Sequence, residues 1–198
     1  MTGNINPNDP RAKRTRKFLQ QAFVELLKQK EFESITIQDI ANKAEMNRTT
    51  FYSHFQDKYE ILELTLNTMF SDILSIWIPA NSELNEQSLI RNLMLAVCQW
   101  QTEAGQGINR KLTISSYIEA NTKNQLYTII LSCLEKVIQN NVQKKRQLEI
   151  VATMISSSIY GVVLHWNRNG QSERPEELVQ YASPIILSIL NTIEFDDK

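Results

Sequence analysis

The chain has 198 residues, 42% of them hydrophobic, with only 5 Gly and 5 Pro. That length suits one domain or two small ones with an ample core, and few turn formers beside abundant Leu, Ile, Gln, Lys and Glu favour helices over a sheet protein rich in turns. A net charge of −1 argues against a polyanion partner for the chain as a whole, but residues 1 to 58 hold 10 Lys+Arg against 7 Asp+Glu and the rest 11 against 15, so a nucleic-acid surface belongs near the N-terminus.

Residues 1 to 9 read as a disordered polar tail. A first helix over about 10 to 30 starts in the basic cluster RAKRTRK and carries Phe18, Leu19, Ala22, Phe23, Leu26 and Leu27 as one apolar stripe. After the link KEFESIT, Thr36 is a good N-cap for a helix holding Ile37, Ile40, Ala41 and Ala44. The break EMN follows, and Asn47 can cap a third helix over about 48 to 55. Asp57 is a cap for a long helix over 59 to 77, apolar around much of its circumference. Behind Pro79 and ANSELNEQ, the pattern predicts further helices in LIRNLMLAVCQWQ, over about 110 to 120, 123 to 145, 146 to 168 and 175 to 193. The fold class is therefore all-α, with about nine helices.

Cys98 and Cys133 have no CxxC spacing or nearby His, so neither a disulfide framework nor a zinc site is expected, and no metal or cofactor. The N-terminus lacks an apolar signal core, and the uncharged run over 150 to 167 contains several Ser and Thr and falls short of a membrane span. A cytoplasmic chain is the expectation.

Two short helices joined by a three-residue break match a helix-turn-helix, whose second helix enters the major groove. On that helix Phe51 and Phe55, four apart, can face the core, while Arg48, Thr49, Thr50, Tyr52, Ser53 and His54 occupy most of the remaining circumference. Arg can take guanine edges or phosphate, Thr offers a hydroxyl and a methyl, and Tyr and His reach phosphate oxygens. The plainer reading is a capped surface helix facing water, against which the aromatic content of so short a polar helix stands.

The stretch TIQDIANKAEMNRTTFYSHFQDKYEIL resembles the DNA-binding signature of the TetR family of bacterial transcriptional regulators, with the likeness spanning about 14 to 62. The resemblance implies a head over 10 to 58, running into the start of the next helix, and a ligand-sensing and dimerisation domain over 59 to 198. It implies that Thr36 and Tyr52 hold phosphates, that Arg48, Thr49 and Thr50 face base edges, that His54 lies near the DNA backbone and that Lys58 contacts phosphate. Arg11, Lys13, Arg14, Arg16 and Lys17 would flank the duplex. Where many members have Gly in the turn, this chain has Glu45, Met46 and Asn47.

Two copies on a palindromic operator follow from the motif and the resemblance, so a homodimer on double-stranded DNA is expected. Interface candidates are Ile155, Ile159, Val162, Val163 and Trp166 on one helix, with Ile185 and Ile189 on the last. For a small effector, the set Phe70, Trp77, Met94, Cys98, Trp100, Tyr117, Tyr127 and Tyr160 suits an apolar or aromatic molecule, although aromatics at helical spacing are usually core. The family suggests repression, and some small members answer to a protein partner instead. An enzyme is not expected, since the two His lie 111 positions apart and no Gly-rich phosphate loop is present. The remaining rival is a helical interaction module that binds DNA weakly.

Overall fold

Asp9 opens the first helix by accepting the Arg11 amide at 2.7 Å, and Pro10 takes the first helical position, where no donor is required. The computed structural model describes residues 9–79, 84–107, 112–135 and 142–190, so the tail expected over 1 to 9 lies outside the described residues except for this cap. In α1 (Pro10–Gln29) the buried stripe is Ala12, Leu19, Ala22, Phe23, Leu26 and Leu27. Phe18 departs from the expectation at 48% exposed, because it lies about 100° round from Leu19 at the edge of that stripe.

A single 3-10 turn (Phe32–Ser34) leads to α2 (Ile37–Lys43), α3 (Arg48–Tyr52) and α4 (Lys58–Trp77). Asp57 caps α4 as expected, accepting the amides of Tyr59 and Glu60 at 2.8 and 2.9 Å. The later helices are α5 (Glu86–Gly107), α6 (Leu112–Glu135), α7 (Val142–Arg168) and α8 (Pro175–Leu190). The described residues thus form eight α-helices and no strand, an all-α fold with one helix fewer than expected. The difference arises at ANTK, where α6 continues without interruption. Thr122 sits there fully buried, its hydroxyl accepting the Trp100 indole N–H at 3.0 Å, so tertiary packing outweighs its weak helix preference.

The chain divides into two compact units, Met1–Met69 with Ala104–Ile118, and Phe70–Glu103 with Glu119–Lys198. In the first, α1 packs on α2 and α2 on α3. Its core is Leu19, Phe23, Leu27, Phe32, Ile40, Phe51, Phe55 and Ile61, none more than 2% exposed. The second holds a core of Phe70, Leu93, Met94, Trp100, Leu126, Ile155 and Val163, with α7 packed on α8. By length and composition alone α7 could cross a bilayer. Yet Leu148, Ala152, Ile155, Ile159 and Val163 are buried in the chain, which is the pattern of a core helix.

Candidate nucleic-acid interface

The helix-turn-helix is built by local chemistry that the sequence specifies closely. Thr36 and Asp39 form a reciprocal capping box, with the Asp39 amide donating to Thr36 Oγ1 at 3.1 Å and the Thr36 amide to Asp39 Oδ2 at 2.9 Å. Those bonds from Thr36 hold the Asp39 carboxyl below its usual range. The Thr36 hydroxyl also donates to Asp39 Oδ2 at 2.8 Å, so its proton is already committed within the capping box.

α2 ends in a Schellman motif, the Glu45 amide donating to the Asn42 carbonyl at 3.1 Å and the Met46 amide to that of Ala41 at 2.9 Å. The motif requires a left-handed residue at Glu45, whose φ is 55°. α7 ends the same way with a glycine, Gly170 at φ 78°, in the equivalent place. Glutamate carries a left-handed penalty of about 1–2 kcal/mol there, partly offset by the extra freedom glycine has when unfolded. Glu45→Gly should therefore raise the stability of the first unit by about 1 kcal/mol, read as a higher denaturation midpoint, and an unchanged or lower midpoint would contradict the strain assigned to Glu45.

Asn47 caps α3 by accepting the Thr49 amide at 3.1 Å. Phe51 and Phe55 hold this five-residue helix to the core, their rings 5.5 Å apart. Around it Arg48, Thr49, Tyr52 and Ser53 are exposed and Thr50 is half-buried, so most of the polar set expected to face DNA is open to water. Arg48 Nη2 donates to the Tyr52 hydroxyl at 3.0 Å, with its guanidinium 5.4 Å from the Tyr52 ring centroid. Two groups able to take phosphate or base edges are thereby held as a pair. Arg14, on α1, is exposed.

Three further residues expected at DNA, His54, Arg16 and Lys58, are tied into the protein to different degrees. His54 is half-buried, and burial, followed by the charge of Arg16, lowers its pKa below the ordinary histidine value, favouring the neutral ring. The His54 carbonyl accepts Arg16 Nη1 at 3.1 Å, while the Arg16 guanidinium lies 4.6 Å from the Phe55 ring centroid. Spacing did not single out Arg16 for this role, because a basic run at a helix start signals charge and not direction. The Lys58 ammonium, expected at phosphate, donates to the carbonyls of Phe32, Glu33 and Ile35 at 3.1, 3.1 and 3.2 Å.

The residues singled out for an effector fall in different surroundings. Tyr117 belongs to the first unit, stacked on Tyr59 with centroids 5.7 Å apart. In the second unit Phe70 and Trp100 pack at 5.8 Å, Met94, Cys98 and Tyr160 are buried, and Trp77 and Tyr127 are half-buried. Burial pushes the Cys98 thiol up to about 12. Trp77 donates its indole N–H to Gln99 Oε1 at 2.7 Å, and the Tyr160 ring faces the Lys123 ammonium at 5.4 Å. A cleft of about 390 Å³ lies elsewhere, where Val162, His165 and Trp166 of α7 face Glu173 and Leu178. No cluster of three or more His, Cys, Asp or Glu suited to a metal occurs among the described residues.

Of the residues expected at a dimer contact, Ile155, Ile159, Val163 and Trp166 are buried in the chain. Val162 and Ile189 are half-buried and Ile185 is fully outside, at 71% exposure. Further exposed apolar side chains accompany it, Ile150 and Met154 on α7 and Tyr181 on α8.

Two family profiles match the chain, one described as bacterial regulatory proteins, tetR family, over residues 21–65, and one as a transcriptional regulator C-terminal region over 110–188. The chain is 39% identical over 82 residues to the HTH-type transcriptional regulator YxbF of Bacillus subtilis (strain 168), covering 41% of this chain and 21% of that protein. It is 30% identical over 61 residues to the HTH-type dhaKLM operon transcriptional activator DhaS of Lactococcus lactis subsp. lactis (strain IL1403), covering 31% of this chain and 33% of that protein. The matched segments thus span about a fifth and a third of these relatives. Among solved structures, a TetR-family regulator (SCO0857) from Streptomyces coelicolor A3 superposes with a TM-score of 0.63 at 12% identity, over 94% of this chain and 99% of that one, a likeness of fold.

Proposed function

Because the chain belongs to the TetR family of bacterial regulatory proteins and is a helix-turn-helix transcriptional regulator, we propose that it binds a palindromic operator as a homodimer, acts as a repressor and is released by a small effector. The observation that carries the DNA reading is the two-sidedness of α3. Phe51 and Phe55 are buried, while Arg48, Thr49, Tyr52 and Ser53 stand exposed on a helix too short to be stable by itself. Tyr52 takes phosphate in this reading, and Arg48, Thr49 and Thr50 take base edges. Arg14 and its neighbours on α1 flank the duplex, and the chain works where DNA is, in the cytoplasm.

Selection of bound duplexes from a random pool, by the purified protein at two salt concentrations, tests this. Recovery of a palindrome whose affinity falls steeply with salt supports a dimeric operator-binding regulator. No enrichment at either concentration would leave a helical interaction module with an unused head.

The response could instead be set by a protein partner, and one observation favours this second reading. Water reaches at most 1% of the surface of Phe70, Met94, Cys98 and Trp100, four of the eight residues expected at an effector, which supports close packing at those four. The DhaS relative is also named an activator. A rise in thermal midpoint with small aromatic compounds would favour the effector, because a ligand that binds only the folded state stabilises it.

A further inference from the structure

We propose that Lys58 is a positioning residue of the reading head, holding the α1–α2 link in place, and that its ammonium makes no phosphate contact. This rests on the DNA-binding reading above. An ammonium has three N–H groups, and all three find carbonyls here, those of Phe32, Glu33 and Ile35 at 3.1–3.2 Å. Its nitrogen also lies 4.5 Å from the centroid of the Phe32 ring and 6.0 Å from that of Tyr59.

These carbonyls belong to the 3-10 turn and the residue that ends it, where the partial negative charge of helical backbone collects, and the Phe32 carbonyl also accepts the Ile35 amide at 3.1 Å. A single point charge answers that geometry. To reach a phosphate, Lys58 would have to abandon all three carbonyls; that of Phe32 would keep the Ile35 amide, but that of Ile35 would lose a part-buried bond. An acceptor stripped of its partner in such a place is unfavourable, so the exchange gains little.

What the contact fixes is the start of the helix-turn-helix. Ile35 immediately precedes Thr36, the N-cap of α2, and Lys58 is the first residue of α4. The lysine therefore joins the beginning of α2 to the helix that follows α3, while the Tyr59 ring meets Phe32 edge-on at 5.2 Å beside it. Arg16 performs the matching task at the other end, with its bond to the His54 carbonyl just beyond α3 and its place over Phe55. Specific recognition needs α3 set to a fraction of an ångström against base edges, whereas loose attraction to the duplex does not.

The experiment compares the full-length parent with Lys58→Met and Lys58→Arg on a selected duplex and on random duplex across a salt series, well below the thermal midpoint of each protein. Met keeps the apolar stem without donors; Arg keeps the charge but spreads it over a planar fork that three carbonyls converging on one nitrogen do not fit. Both variants should lose about tenfold in binding to the selected duplex, with random-duplex binding and the slope of log affinity against log salt unchanged. Were Lys58 a phosphate contact, Met would flatten the slope by about 0.9 per head and weaken both duplexes alike, while Arg would bind as the parent does. Either result overturns the proposal. A lower thermal midpoint with an unchanged ratio of selected to random binding overturns it too, leaving only a structural role. If the parent itself selects no duplex, the DNA reading fails and the proposal with it; a parent that selects while Met flattens the slope sinks the proposal alone.

Discussion

Ile185→Asp is expected to turn the proposed homodimer into monomers and to abolish the proposed tight operator binding while leaving each monomer folded. Ile185 is 71% exposed on α8, and Tyr181, one turn earlier on the same face, is 74% exposed. Both sit on the helix that packs against α7, which exposes half of Ile150 and of Met154. Side chains of this size lie open to water at a cost that burial against a partner would remove, about 1.5–3 kcal/mol each. A two-fold interface uses every residue twice, so one substitution removes two such contributions and places two carboxylates in apolar surroundings. The dimer dissociation constant should rise by about 10³ or more. Sedimentation over a concentration series would measure it, with thermal unfolding as the control for folding. A variant that stays dimeric would move the interface away from this face of α8.

Phe51→Ala should cost the first unit about 3–5 kcal/mol and eliminate operator binding at temperatures where the parent binds fully. Phe51 has no exposed surface and sits on a helix of five residues, which hydrogen bonding alone does not sustain. Its ring meets Phe55 at 5.5 Å and Tyr52 edge-on at 5.8 Å, so its loss opens a cavity under the exposed face and frees the neighbour expected at phosphate. Denaturation of the variant and its affinity for the selected duplex would measure the two effects. Near-parental values in both would mean that α3 is held by its Asn47 cap alone.

What was legible in the sequence was local. Thr36, Asn47 and Asp57 each accept backbone amides at the helix start where they were expected, because a cap depends on a few adjacent residues. The two-sidedness of α3 was legible for the same reason, as Phe51 and Phe55 four residues apart leave little doubt about which side is core. Direction over longer distances was not. Lys58 reads as a cation at a helix start, and nothing in its neighbours reveals that carbonyls 23 to 26 positions earlier converge on it. On α7 the pattern yields apolar positions without saying what covers each: Ile155 and Ile159, expected at a dimer contact, are buried in the chain, while Ile150 and Met154 are left exposed. The unbroken course of α6 through Thr122 depends on an indole 22 residues away.

The three tryptophans, Trp77, Trp100 and Trp166, all belong to the second unit, and the first has none. Intrinsic tryptophan emission therefore reports on one half of the molecule, while helix content by circular dichroism reports on both. Melting of the reading head alone would pass unseen in emission and appear as a partial loss of dichroism. Disagreement between the two curves would then be information about which unit yields first.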